Sequence, residues 1–157
     1  MSTAALAAAV AVWVALAAHT IVTDLRMRVI RRHACWGAAT AIAALYSLAA
    51  IASGTPRHLL TVVIGVGAVV AFTELFWRAR PHSIGYGDIR LINTNSLLLA
   101  WWGPAWPWFA LTVAAAAATP HAVAARRDHG SRAAIPFAPA LAVGTAVCLA
   151  AQFVTAS

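Results

Sequence analysis

The sequence predicts an all-α fold: a polytopic membrane helix bundle of about six transmembrane helices, with the N- and C-termini outside. Three observations predict it. Of 157 residues, 62% are hydrophobic and only 10% charged. The apolar residues gather in six runs separated by short polar turns. The arginines concentrate in alternate turns. A soluble domain carries about a quarter charged residues, so this chain is too apolar to cover its own surface in water, and its solvent is lipid. Six spans of roughly 20 residues use the whole length, so residues 1–157 read as a single membrane-embedded domain.

The first run covers residues 4–22. Residues 1–5 hold no basic residue and the arginines follow the run, so it reads as a retained helix and not a signal peptide. Further runs cover residues 34–52, 59–77, 89–102, 105–119 and 135–154. The fourth is short: at 1.5 Å per residue it reaches about two-thirds of the ~30 Å hydrocarbon core, so it needs shielding by protein. Gly103, Pro104 and Pro107 predict a tight turn after it.

Orientation follows from the eleven basic residues, all of them arginine. The first connection holds Arg26, Arg28, Arg31 and Arg32, the third Arg78, Arg80 and, at its edge, Arg90, and the fifth Arg126, Arg127 and Arg132. Only Arg57 falls in the second, and none in the fourth. The positive-inside rule makes the arginine-rich side cytoplasmic. The basic balance thus reports topology in a plasma membrane and not nucleic-acid binding. Trp101, Trp102, Trp106 and Trp108 crowd the opposite end and read as an interfacial aromatic belt.

The acids are Asp24, Glu74, Asp88 and Asp128. Asp24 ends the first span in Thr23-Asp24-Leu25-Arg26, and Asp88 opens the fourth in Gly85-Tyr86-Gly87-Asp88. The topology puts both on one side at similar depth, and helices of one bundle pack 8–10 Å apart. Two close carboxyls cannot both ionise, so they share a proton. The ionised one takes a proton from water while the protonated one polarises a peptide carbonyl. Gly85 and Gly87 permit unusual backbone conformations and close approach of another chain. The helix after them presents its positive end to Asp88, which favours an ionised carboxylate. Taken singly, Asp24 reads as a helix-end acid paired with Arg26 or Arg28, and Asp88 as an N-cap. Glu74 reads first as an i,i+4 partner of Arg78, with binding of a basic substrate segment as the functional alternative. Asp128 reads as a solvated loop acid and His19 as a polar interior residue. His33, His58, His82, His121 and His129 are scattered and lack metal spacing. Asn93, Asn95 and Ser96 make the fourth span polar near its start, as burial beside a wet site requires. Cys35 and Cys148 read as small apolar fillers. No cofactor and no metal are expected.

At these residues the sequence resembles the type IV prepilin peptidases, membrane aspartic proteases with a Gly-x-Gly-Asp motif. Asp24-Leu25-Arg26 matches the family's first aspartate segment. Gly85-Tyr86-Gly87-Asp88-Ile89-Arg90-Leu91 matches its second, and Ile135-Pro136-Phe137-Ala138-Pro139 matches the segment that opens its last helix. The resemblance covers nearly the whole chain and is closest to the short, peptidase-only members. It implies Asp24 and Asp88 as the catalytic dyad. The implied substrate is a prepilin-like protein with a short basic leader, cut at the cytoplasmic membrane face. Glu74, Gly85 and Gly87 are the expected substrate-binding residues. The family follows its first aspartate with Ile-Pro-Asn or Ile-Pro-Asp, whereas here Arg31 and Arg32 follow Ile30. That departure keeps open an inactive homologue or a non-enzymatic pilus-assembly membrane protein. A small transporter using both acids is a third class, disfavoured because both acids lie at one face. Pro139-Ala140-Leu141 matches a tripeptide of presenilin-like proteases, but those chains are larger and the match reads as incidental. The oligomeric state is not readable from the sequence.

Overall fold

The computed structural model of the chain describes residues 3–80, 84–129 and 135–155. They form α1 (Thr3–Met27), α2 (Arg32–Ala52), α3 (Arg57–Ala79), α4 (Tyr86–Leu99), α5 (Trp106–His129) and α6 (Ala138–Thr155). A 3-10 turn, Ala100–Trp102, follows α4, and there is no strand among the described residues. Every predicted apolar run holds a helix, although α6 starts at Ala138 and not at the expected Ile135. Four of them, α1, α2, α3 and α5, are long and apolar enough to cross a membrane by length and composition; α6 is apolar but shorter. Large apolar side chains point outward along these helices, among them Leu48, Ile51, Leu60, Val63, Ile64 and Leu75. Soluble monomers rarely expose so much apolar surface.

The 14-residue α4 is the central element, packed against each of the other five helices. Ile89, Leu91, Ile92, Leu98 and Leu99 are all buried, so a helix too short to span the core alone is shielded by protein. Burial also has to satisfy its polar residues, which are costly in an apolar interior. Trp13 Nε1 donates to Asn95 Oδ1 at 3.2 Å, and Thr73 Oγ1 donates to Asn93 Oδ1 at 3.2 Å. Thr94 and Ser96 return their hydroxyls to carbonyls one turn back.

In α1 the buried stripe is Ala9, Trp13, Leu16, Thr20 and Thr23–Asp24, spaced by three and four. His19 falls off that stripe and is exposed, so it is not the interior residue expected. Cys35 and Cys148 are buried and free, as fillers should be. Trp101 departs from the belt expectation: it is buried, its ring 4.6 Å from Tyr46 and 4.5 Å from His58. The 3-10 turn swings it inward, and His58 Nε2 lies 2.6 Å from the Trp101 carbonyl. Pro107 sits in the first turn of α5 and not in the connection, where its missing N–H removes no helix bond.

Two helices run past their apolar stretches. Reaching Met27, α1 carries Asp24 in its last turn. Reaching His129 through Pro120, α5 turns Asp128 from a loop residue into a helical one. Its alanine-rich sequence favours helix strongly enough to absorb the proline. His82 and Arg132 lie outside the described residues, as do the side chains of Arg126, Asp128 and His129.

Contacts sort the helix ends. Tyr46 Oη donates to the Leu98 carbonyl at 2.7 Å, and His58 meets Trp101, which joins the end of α2, the start of α3 and the end of α4. The other end of the bundle gathers the close of α1 and α3 and the start of α4 and α6. Arg26, Arg28, Arg31, Arg32, Arg78, Arg80 and Arg90 belong to segments at that second end, and Arg57 to the first.

Candidate active site

Asp24 is placed by the way α1 stops. The helix closes when Arg28 takes a left-handed backbone, φ 54°, with its N–H on the Asp24 carbonyl at 3.0 Å. The chain then runs extended through Arg31 (φ −72°, ψ 122°) and enters α2 at Arg32 with no side-chain cap. The Pro-Asn of the family pattern is therefore not needed to start this helix. Asp24 lies on the inward stripe and is 6% exposed.

Asp88 is placed by the head of α4. Gly85 is the N-cap, its carbonyl accepting from Asp88 N at 3.0 Å and Ile89 N at 3.3 Å. The Asp88 carboxylate folds back over this turn: a Cβ on residue 85 would lie 2.9 Å from Asp88 Oδ2. Gly87 makes a different contact, since a Cβ there would meet Ile30 Cβ at 3.0 Å. Both glycines hold ordinary negative-φ backbone, so they serve here through missing volume and not through conformational freedom. Gly87 lets the head of α4 lie against the α1–α2 connection; Gly85 makes room for the carboxylate.

A third segment closes the group. Leu141 N donates to the Phe137 carbonyl at 3.1 Å, which makes Phe137 the N-cap of α6 and Ala138 its first helical residue. The Ala138 N–H donates to Asp24 Oδ2 at 3.0 Å, across 114 residues of sequence. Ile30, Ile84 and Phe137 pack on one apolar cluster with Leu16, Cys35, Leu91 and Ala138.

Asp88 lies ahead of the apolar part of its helix and outside the four long apolar helices. Burial pushes its carboxyl up to about 6; the Asp24 charge adds to the push, and a hydrogen bond from the Gly85 backbone opposes it. Desolvation thus outweighs the positive helix end, which reverses the expectation that the helix keeps Asp88 readily ionised. The Asp24 contribution puts that carboxyl, sixty-four residues away in sequence, near enough to act on Asp88.

Glu74 makes the expected i,i+4 pair, Arg78 Nη2 to Oε1 at 3.3 Å. It also reaches the motif: Tyr86 Oη donates to Glu74 Oε2 at 3.4 Å. The Tyr86 ring stands edge-on to Trp77 at 5.1 Å and under the Arg90 guanidinium at 4.7 Å. Sequence reasoning missed Tyr86 and Ala138. The signals were present: an aromatic inside Gly-x-Gly-Asp, and a helix start bracketed by Pro136 and Pro139. A separate small crevice between α4, α5 and α6 is lined in part by Asn95, Ser96 and Thr145. It lies about two turns along α4 from Asp88. Among the described residues no three His, Cys, Asp or Glu side chains gather as a metal site.

Two carboxyls therefore stand at one end of the helical bundle, one holding a buried backbone donor and the other beside a partly exposed glycine turn. No protein-family model, curated protein or solved structure matches this chain, so the arrangement is read from its own residues.

Proposed function

We propose that the chain is a membrane aspartic endopeptidase of the prepilin peptidase type, with Asp24 and Asp88 as its dyad. The observation that carries this reading is their placement at one end of the bundle, Asp24 held by the head of α6 and Asp88 folded over the head of α4. One carboxylate takes a proton from water, whose oxygen adds to the scissile carbonyl carbon. The protonated partner hydrogen-bonds the carbonyl oxygen and its proton passes to the leaving amide nitrogen. No covalent intermediate is required.

The substrate in this reading is a prepilin-like precursor whose short basic leader precedes an apolar helix. The side is cytoplasmic, because the arginines of seven positions share the dyad's end of the bundle; both termini are then outside. Exposed Gly85 gives an extended peptide room beside Asp88. Glu74, half in contact with Tyr86 and with Arg78, supplies a carboxylate for the basic leader. The exposed arginines of the α1–α2 connection suit anionic lipid headgroups.

The test is co-expression with a membrane-anchored precursor carrying a basic leader. Asp24→Asn and Asp88→Asn each abolish cleavage while leaving a folded, membrane-inserted protein. Cleavage at the native rate by either variant overturns the dyad. A native protein that binds the precursor and never cuts it supports the non-catalytic assembly reading instead.

A further inference from the structure

A helix begins with backbone N–H groups that have no partner inside the helix. In α6 the first of these belongs to Ala138, which is 0% exposed, so no water reaches it. Its acceptor is Asp24 Oδ2 at 3.0 Å. The next residue, Pro139, has no N–H, and neither has Pro136 on the other flank. The Ala138 N–H shares a peptide plane with the Phe137 carbonyl, which Leu141 N holds at 3.1 Å, so its direction is set before any substrate arrives. The donor is backbone, held by the helix it opens, and costs no side-chain freedom.

We infer that the Ala138 N–H is the positioning group for Asp24: it commits Oδ2 and leaves Oδ1 as the oxygen that exchanges the proton. The Ile135-Pro136-Phe137-Ala138-Pro139 segment is in this view part of the site, acting through Asp24 without touching substrate. The inference rests on the peptidase reading. The contact itself does not, and the two parts are tested separately.

Ala138→Pro deletes the one donor at the first helical position, where proline is best tolerated. Ala138→Gly keeps it. For a membrane-anchored precursor, kcat of Ala138→Pro falls about tenfold to hundredfold, the loss expected for a hydrogen bond to a charged group. KM stays unchanged, and Ala138→Gly retains native kcat. A folded Ala138→Pro with native kcat overturns the positioning role.

The second arm needs no activity and no proline. Backbone hydrogen exchange at Ala138 is slow in the native chain and in Asp24→Asn, whose amide oxygen still accepts. It becomes fast in Asp24→Ala. Equal protection in all three overturns the contact, whether or not the native protein cuts anything.

Discussion

Gly85→Ala separates the role of the glycine turn in the site from its role in the fold. The backbone there, φ −67° and ψ 139°, suits alanine, so the change introduces no backbone strain. The new Cβ would lie 2.9 Å from Asp88 Oδ2 and 3.9 Å from Asp88 Cγ, with no other contact within 4 Å among the described residues. Carbon and oxygen need roughly 3.3 Å or more, so the carboxylate must move by several tenths of an ångström. The atom that moves is the end of a flexible side chain, and the stability cost is limited. Loss of glycine from the N-cap adds a few tenths to about 1 kcal/mol. Catalysis is less forgiving: a misplacement of this order costs up to about a hundredfold in rate. Thermal unfolding in detergent should therefore show a shift of no more than about 1 kcal/mol. Cleavage of a membrane-anchored precursor should fall about tenfold to hundredfold. Native cleavage by Gly85→Ala would refute the placement of the Asp88 carboxylate over this turn. Unfolding of the variant would refute the claim that only a side-chain tip is in the way.

Asp88 should set a pH dependence of stability. Its folded value, about 6, lies above its ordinary value of 3.8, so this proton is held more tightly in the folded chain. The stabilisation is full below the unfolded value and is lost as pH rises through about 6. Thermal scans between about pH 4 and pH 7 should therefore show a steeper decline for the native chain than for Asp88→Asn; parallel curves would exclude a raised Asp88. Trp13→Phe leaves the buried Asn95 Oδ1 without its 3.2 Å donor. It should destabilise by about 1 kcal/mol, and Asn95→Leu added to it should recover part of that. A double-variant loss equal to the sum of the single losses would show that the pair is not coupled. Gly144→Ala brings a Cβ into the Ala110 carbonyl oxygen and 3.0 Å from Ala114 N, both backbone atoms of α5. The helices must part, at about 1–3 kcal/mol. Gly37→Ala, which meets nothing within 4 Å among the described residues, should be neutral or gain up to about 1 kcal/mol. Equal melting temperatures for the two variants would contradict the close α5–α6 approach.

Some of this molecule was written in its residue pattern. Six apolar runs became six helices, because length and hydropathy are properties of local sequence. The sharing of one end by Asp24 and Asp88 was legible too, since short turns between spans force alternation and the arginine distribution marks which turns group together. The shortness of α4 likewise foretold its burial, as a helix that cannot span the core must be sheltered. Local pattern misjudged the places where a helix outruns its apolar part. Met27 and His129 end α1 and α5 because backbone hydrogen bonding and alanine propensity continue past the hydrophobic boundary.

Other features were decided only by packing. The phase of α1, fixed by which side chains meet α4 and α6, turned Thr20 and Asp24 inward and left His19 outside. The inward swing of Trp101 onto Tyr46 depended on a 3-10 turn set by its neighbours. The raised Asp88 carboxyl depends on burial, a quantity no single residue carries, and this reversed what the helix end alone implied. By itself the sequence determined how many helices form, which residues are acidic and which end of the bundle they share, because these follow from each segment's own chemistry. The tertiary structure alone decided that Ala138 answers Asp24 and Ile30 answers Gly87, because such contacts exist only once distant segments occupy the same volume.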